Sequence, residues 1–175
     1  MKIASSMSIT TKRGDGGVTD LLFGGKAAKG DPQVEALGAV DELNAALGMA
    51  RVAMDGEAAE AVDRIQKWLV TLMGELAMPT GKDEEYERAG FGRIGEEEIR
   101  WIEEWSAGIE GEQKFKGWLR PGQDGDELSA RLHLARTVAR RAERRTWEVS
   151  DEVARPGIRI FLNRLSDALW LMAQG

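Results

Sequence analysis

From Val34 to Met172 the apolar residues return at intervals of three and four, stretch after stretch, and that spacing favours helices over any other element. Leu37, Val40, Leu43, Leu47 and Ala50 predict one amphipathic helix between Val34 and Val52, with Pro32 near its start. Val62, Ile65, Leu69, Leu72, Met73 and Leu76 predict a second between Glu57 and Met78, which "MPTGK" stops. Residues 79–94 read as a long polar connection. Ile99, Ile102, Trp105 and Ile109 predict a shorter third helix, and "GEEEIR" puts carboxylates at its start, where the helix dipole favours them. After the interruption "GWLRPGQDGDE", Glu127–Val149 and Ile158–Met172 form the fourth and fifth. No β-hairpin signature competes, so the expectation is an all-α five-helix bundle preceded by a glycine-rich segment without helical character.

A chain of 175 residues buries a sizeable core as a single domain spanning residues 1–175. Cysteine is absent, which excludes a cystine framework and a thiolate metal site. The N-terminus "MKIASSMSIT" has no apolar run of signal-peptide length, and no membrane-spanning run occurs elsewhere, so a soluble, cytoplasmic protein with no membrane partner is expected. The formal net charge of −6 disfavours non-specific nucleic-acid binding, which needs a broad basic surface. His133 is the sole histidine, which excludes the Glu-x-x-His pairs of di-iron bundles and leaves it as a helix-surface or core-edge residue. The methionines and most of the six tryptophans sit at core spacing.

Against that acidic background, "RRAERR" (Arg140–Arg145) concentrates positive charge in one place. On a helical wheel Leu128, Leu132, Ala135, Ala139 and Ala142 share the core face of the fourth helix. Arg136, Arg140 and Arg144 fall on an adjacent stripe with Glu143 beside them, whereas Arg131, Arg141 and Arg145 point further outward. Like charges at successive i, i+4 steps repel, so a compensating anion is expected at the 136, 140, 144 stripe. In the first helix Gly38, Asp41, Ala45 and Gly48 lie on one stripe, and residues that small let a neighbouring helix approach closely. Asp41 in such a groove needs an arginine partner, for which Arg140 is a candidate.

The segment "TKRGDGGVTDLLFGGKAAKGD" brings glycines, the hydroxyls of Thr11 and Thr19, and the cations Lys12, Arg13, Lys26 and Lys29. Glycines let successive N–H groups turn inward around an anion. It is not a Walker A loop, because neither the spacing GxxxxGK[ST] nor a flanking strand is present.

In order and spacing, "TKRGDGGVTDLLFGG", "VEALGAVDELNAALG", "LHLARTVARRAERR" and "FLNRLSDALWLMA" resemble the PduO-type ATP:cob(I)alamin adenosyltransferases. The match covers roughly Thr10 to Arg51 and Trp118 to Ala173, whereas residues 55 to 115 match only as helices. The resemblance implies an up-down, ferritin-like five-helix bundle that assembles as a homotrimer with active sites between subunits. It implies that residues 10–33 wrap ATP, with Thr11, Lys12, Arg13 and Gly14 at the nucleotide, Thr19 and Asp20 following, and Lys29 on the phosphates. Arg140, Arg141, Glu143 and Arg144 take the family's "RRAER" nucleotide-binding positions, Asn163 matches an ATP contact, and Arg136 is a supporting arginine of the same motif. Asp41 stands where the family pairs an aspartate across subunits with the arginine at 140. Arg13 replaces the usual threonine of "TKTGD", and Trp118 replaces a phenylalanine that helps close the corrinoid's lower face.

The implied reaction forms adenosylcobalamin from ATP and cob(I)alamin and releases triphosphate, with Mg²⁺ as the accompanying ion; no metal ligands are assigned. Arg140, Asp41, Arg144 and Trp118 are the expected catalytic residues. A cobalamin-dependent enzyme or a reductase is a candidate protein partner. Two rivals are a non-catalytic ATP-sensing bundle acting through a partner, and a helical oligomer whose arginines serve only subunit contacts.

Overall fold

The computed structural model of the protein describes Lys12 and residues 14–112, 120–123 and 125–175. Five long helices make the body: α1 (Pro32–Arg51), α2 (Gly56–Leu76), α4 (Glu96–Glu112), α5 (Glu127–Thr146) and α6 (Pro156–Met172), with the six-residue α3 (Asp83–Arg88) between α2 and α4. Helix α1 packs between α2 and α5, α5 packs on α6, and α6 packs on α4. The ring closes through side chains: Trp68 of α2 meets Trp101 of α4 edge-on at 5.1 Å, and the Arg64 guanidinium lies 5.0 and 4.9 Å from the two ring centroids. Leu43, Leu47, Leu69, Leu72, Ala139, Phe161 and Leu165 are fully buried between the helices. Burying one such leucine stabilises the fold by about 1.5–3 kcal/mol.

The caps explain where the helices begin. Asp31 caps α1 by accepting from the Gln33 backbone N–H at 2.9 Å, with Pro32 in the first turn. The Gln33 side chain then donates to the carbonyls of Leu76 and Met78 at 2.7 and 3.0 Å, fixing the start of α1 to the end of α2. Asp126 caps α5 through Ser129 N–H at 2.9 Å, and the Ser129 hydroxyl donates to the Ala173 carbonyl at 2.7 Å.

Three expectations need correction. The third long helix is not shorter than the last, since α4 and α6 both run 17 residues. The connection over 79–94 contains α3, whose Tyr86 is buried and donates its hydroxyl to the Gly92 carbonyl at 3.0 Å. The glycine-rich segment contains an antiparallel ribbon, β1 (Val18–Asp20) against β2 (Lys26–Ala28), joined through one 3₁₀ turn at Leu22–Gly24. Strands of three residues are too short to show an alternating pattern, which is why the sequence hides them.

Side-chain packing and a backbone hydrogen bond both hold that ribbon against the helices. Phe23 sits at φ 54°, a left-handed conformation that costs a residue with a Cβ, and its ring meets Tyr86 and Phe91 edge-on at 6.4 and 6.3 Å. The Leu22 N–H donates to the Ala77 carbonyl at 3.0 Å. Gly25 lies so close to Pro79 that a Cβ there would overlap the proline ring. Nearby, the buried Glu75 carboxylate accepts from the Ile94 N–H at 2.6 Å and from both Nε and Nη2 of Arg155, tying the entry of α6 to the loop before α4.

Among the described residues, no helix is long and apolar enough to cross a membrane.

Candidate functional site

Helix α5 buries Leu132, Ala135, Ala139 and Ala142 of the five positions its periodicity predicts, with Leu128 only half-buried, and its two flanks divide the arginines. On the α1 flank, Arg145 Nε lies 3.2 Å from Glu35, Arg141 pairs with Glu42, and Arg131 donates to the Met49 carbonyl at 2.6 Å and to Glu127 at 2.5 Å. The expectation that Arg131, Arg141 and Arg145 point outward is therefore corrected: all three reach across to α1 or its surface. The wheel placed them relative to their own core stripe, but not relative to the acids of a neighbouring helix.

On the α6 flank a second network forms. Asn163 donates its amide to Glu143 Oε1 at 3.2 Å, and Arg140 Nη1 lies 3.3 Å from Glu143 Oε2. The Glu143 side chain is 14% exposed, that of Arg140 46%, so the carboxylate is held while the guanidinium stays open to solvent. Arg164 extends the network, donating to Asn163 Oδ1 at 3.0 Å and to Glu103 at 2.7 Å. Arg144 is exposed and makes no ion pair among the described residues. Arg136 is half-buried, and its Nε is shut from solvent without an acceptor. A buried guanidinium nitrogen without an acceptor is costly, which marks this flank as short of an anion.

Beside this network lies a cavity of about 480 Å³ bordered by Glu143, Trp147, Arg159, Ile160 and Asn163. Sequence reasoning missed Trp147 and Ile160, although Trp147 follows Glu143 by four residues and Ile160 precedes Asn163 by three. A larger groove of about 800 Å³ on the α2–α4 side is lined by Arg51, Asp63, Arg64, Trp101 and Trp105, with none of the expected site residues. Its charges are mostly spoken for: Asp63 pairs with Arg51 at 2.9 Å and Lys67 at 2.7 Å, and the Lys67 hydrogen bond holds that carboxyl below its ordinary value. The smaller cavity is the better candidate.

Asp41 is exposed and makes no ion pair among the described residues, and Gly38 and Ala45 beside it are exposed as well. The expected tight groove around Asp41 is thus absent within one chain, where Arg140 pairs with Glu143 instead. Only Gly48, the last residue of this stripe, approaches a neighbour: a Cβ there would lie 3.4 Å from Gln66 Nε2 of α2.

The arm brings some expected residues together. An added Cβ at Gly14 would lie 3.0 Å from Lys29 Nζ, so the ammonium rests over the glycine turn. Gly17 accepts from Lys29 N–H at 2.8 Å, Thr19 pairs with Ala27 in the ribbon, and Asp20 lies 3.7 Å from Lys26. Lys12 is exposed with φ 56°. Thr11, Arg13 and Trp118 lie outside the described residues. The arm docks on Ala77, Pro79 and Tyr86, and among the described residues no hydrogen bond or ion pair joins it to the α5–α6 flank.

Among the described residues no three His, Asp or Glu side chains converge as a metal site. His133 is buried, neither ring nitrogen has a partner, and burial together with the nearby Arg136 charge holds its pKa below the ordinary value.

Comparison with known proteins gives this arrangement its family. The corrinoid adenosyltransferase PduO of Salmonella typhimurium is 38% identical over 174 residues, covering 96% of this chain and 49% of that one. This chain therefore spans about half the length of that relative. The corrinoid adenosyltransferase of Citrobacter freundii is 37% identical over 174 residues, covering 95% of this chain and 93% of its own. A variant of the PduO-type ATP:corrinoid adenosyltransferase from Lactobacillus reuteri, solved with cobalamin and ATP, superposes with a TM-score of 0.83 at 32% identity over 95% of this chain and 92% of that one. Another variant of that enzyme, solved with ATP, gives 0.80 at 30% identity, with the same coverage. The family model for cobalamin adenosyltransferases matches residues 9–174, and the chain belongs to the cobalamin adenosyltransferase family.

Proposed function

We propose that this protein transfers the 5′-deoxyadenosyl group of ATP to the cobalt of cob(I)alamin, releasing triphosphate. The observation that carries the reading is the solvent-open cluster of Arg140, Glu143, Arg144 and Asn163, deficient in anions, in a chain of this family. The corrinoid substrate supplies its own nucleophile, Co(I), which forms a bond to C5′ as the C5′–O bond breaks and its electron pair leaves with triphosphate. No side-chain base is required. The protein's part is to hold ATP with C5′ accessible and to stabilise the charge that grows on the leaving group. Arg140 and Arg144 do this from α5, Lys12 and Lys29 from the arm, and Glu143 and Asn163 hold Arg140 in place. Gly14 lets Lys29 lie close to the turn, while Thr11, Arg13, Thr19 and Asp20 complete the arm. Mg²⁺ fits as an ion carried on the triphosphate, because the described side chains offer no converging donor set. Trp118 is assigned to the corrinoid's lower face, where an apolar wall that excludes an axial ligand eases reduction of the Co(II) form.

Assembly as a trimer belongs to the same reading. The arm docks beside α2 and α3, whereas the arginine cluster faces α6. A second copy that lays its α1 face over the α5–α6 flank would bring Asp41 to Arg140 and its arm to Arg144. Such a head-to-tail contact closes when three copies form a ring. Arg141 then braces α1 from within the chain through Glu42, alongside the nucleotide-binding position the resemblance assigns to it. Residues 10–33 act as the nucleotide arm of one domain spanning residues 1–175, working in the cytoplasm, and a reductase or a cobalamin-dependent enzyme is the expected protein partner.

The test is to mix the protein with ATP, Mg²⁺ and chemically reduced cobalamin and follow the corrinoid absorption spectrum. Appearance of adenosylcobalamin supports the reading. ATP binding without transfer would favour the sensing bundle, and no ATP binding a purely structural oligomer.

A further inference from the structure

Trp147 is a large aromatic side chain left 64% exposed at the C-terminal end of α5, one turn beyond Glu143. Exposure on that scale normally goes with mobility, yet this ring is held. The Arg159 guanidinium lies over it at 4.5 Å, and Arg159 is itself 7% exposed. Arg159 is pinned by Asp151 at 2.5 Å, by the Thr146 carbonyl at 3.2 and 3.1 Å, and by the Val149 carbonyl at 2.9 Å. One face of the indole is therefore backed by a fixed cation, and the exposed surface belongs to the other face and the edge. The cavity of about 480 Å³ that Trp147 borders is lined also by Ile160, itself 43% exposed, by Pro156, and by the polar or charged Glu143, Asp151, Arg159, Asn163 and Arg164. A rigid aromatic plate, an aliphatic side chain lining the same space and a polar rim form a slot for a flat, polar-edged ring. Glu143 lines the slot and lies 3.3 Å from Arg140, with Arg144 next along the helix, so a molecule with a planar base at one end and several phosphates at the other would reach from the slot to these arginines.

We infer that Trp147 is a specificity-determining residue that stacks on the nucleobase, with Ile160 opposite or beside it, and that it selects a purine triphosphate over the phosphate chain alone. The inference rests on the nucleotide reading of the Arg140 cluster and names the part of the ligand that reading leaves unassigned. Stacking energy grows with ring area, so pyrimidine triphosphates bind less tightly than ATP.

The experiment measures binding of ATP, CTP and tripolyphosphate to the full chain by calorimetry, for the parent, Trp147→Ala and Trp147→Phe. Sedimentation of each variant is recorded under the same conditions. The expected result is a roughly ten-fold or larger rise in Kd for ATP in Trp147→Ala. Tripolyphosphate affinity stays at the parent's value, the preference for ATP over CTP shrinks, and Trp147→Phe recovers most of the loss. Equal changes toward ATP and tripolyphosphate, or none toward either, overturn the inference. So does a change in sedimentation accompanied by loss of both ligands, which would make Trp147 a subunit contact. A parent that binds neither ligand overturns the nucleotide reading as well. A parent that binds both, with Trp147→Ala unaltered toward ATP, overturns this inference alone.

Discussion

Asn163 of α6 donates its amide to Glu143 of α5 at 3.2 Å, and this bond leaves the second oxygen of the same carboxylate facing Arg140 at 3.3 Å. Glu143 is thus fixed from one side and orients a cation on the other. On the proposed function, Arg140→Ala removes a charge aimed at the leaving group, and kcat falls about 10²–10³-fold. Glu143→Gln keeps an acceptor for Asn163 but loses the charge that holds Arg140, and costs about ten-fold. Initial rates of adenosylcobalamin formation measure both, and Arg140→Ala at the parent's rate would falsify the assignment.

Asp41 has no ion-pair partner among the described residues of its own chain, so its partner is sought on another. In the proposed trimer Asp41→Arg puts like charges face to face, and assembly weakens by about 2–5 kcal/mol per contact. Sedimentation over a dilution series shows dissociation at higher concentrations than for the parent. Adding Arg140→Asp restores assembly, though not activity. An unchanged oligomer in Asp41→Arg removes Asp41 from the contact.

Gly25→Ala pushes a methyl group into Pro79. The arm must shift off the α2–α3 connection or strain it, which costs about 1–3 kcal/mol. Thermal unfolding shows a lower Tm, and calorimetric titration shows weaker ATP binding, because the shifted arm no longer presents Lys29. A parent-like Tm would mean that the ribbon is not clamped there.

Burial and the Arg136 charge both hold the His133 pKa below its ordinary value in the folded chain. In the unfolded chain it protonates near its ordinary pKa of 6.5. Below that pH the unfolded state binds a proton that the folded state refuses, so stability is full above it and falls as the pH drops. Urea midpoints at pH 7.5 and 5.5 give a difference that shrinks in His133→Leu. If the two proteins lose stability in parallel, carboxylates rather than His133 carry the effect.

The helices were legible because each is long enough to repeat its spacing several times; the buried Leu132, Ala135, Ala139 and Ala142 are four of the five the wheel of α5 selects. The fate of the arginines was legible only in part. Arg140 and Arg144 do sit on the flank expected to want an anion, but the pairing of Arg141 with Glu42 and of Arg145 with Glu35 depends on where α1 lies, and no wheel of a single helix contains that. The ribbon escaped notice because three-residue strands carry no period. Trp147 escaped because a tryptophan at helical spacing is more often core than surface, and only the position of α6 leaves it uncovered.

Along α1, Glu35, Glu42 and the Met49 carbonyl follow one another at seven-residue steps, and Arg145, Arg141 and Arg131 of the antiparallel α5 meet them in turn. Sliding either rod by one turn would break every rung together, so the ladder works like the teeth of a rack and admits one height of α5 against α1. That height also sets how far Arg140 stands from the level of Asp41. The proposed ring of identical copies can close only if every member shares the same offset, and in it these rungs would make each copy a faithful gauge for the next.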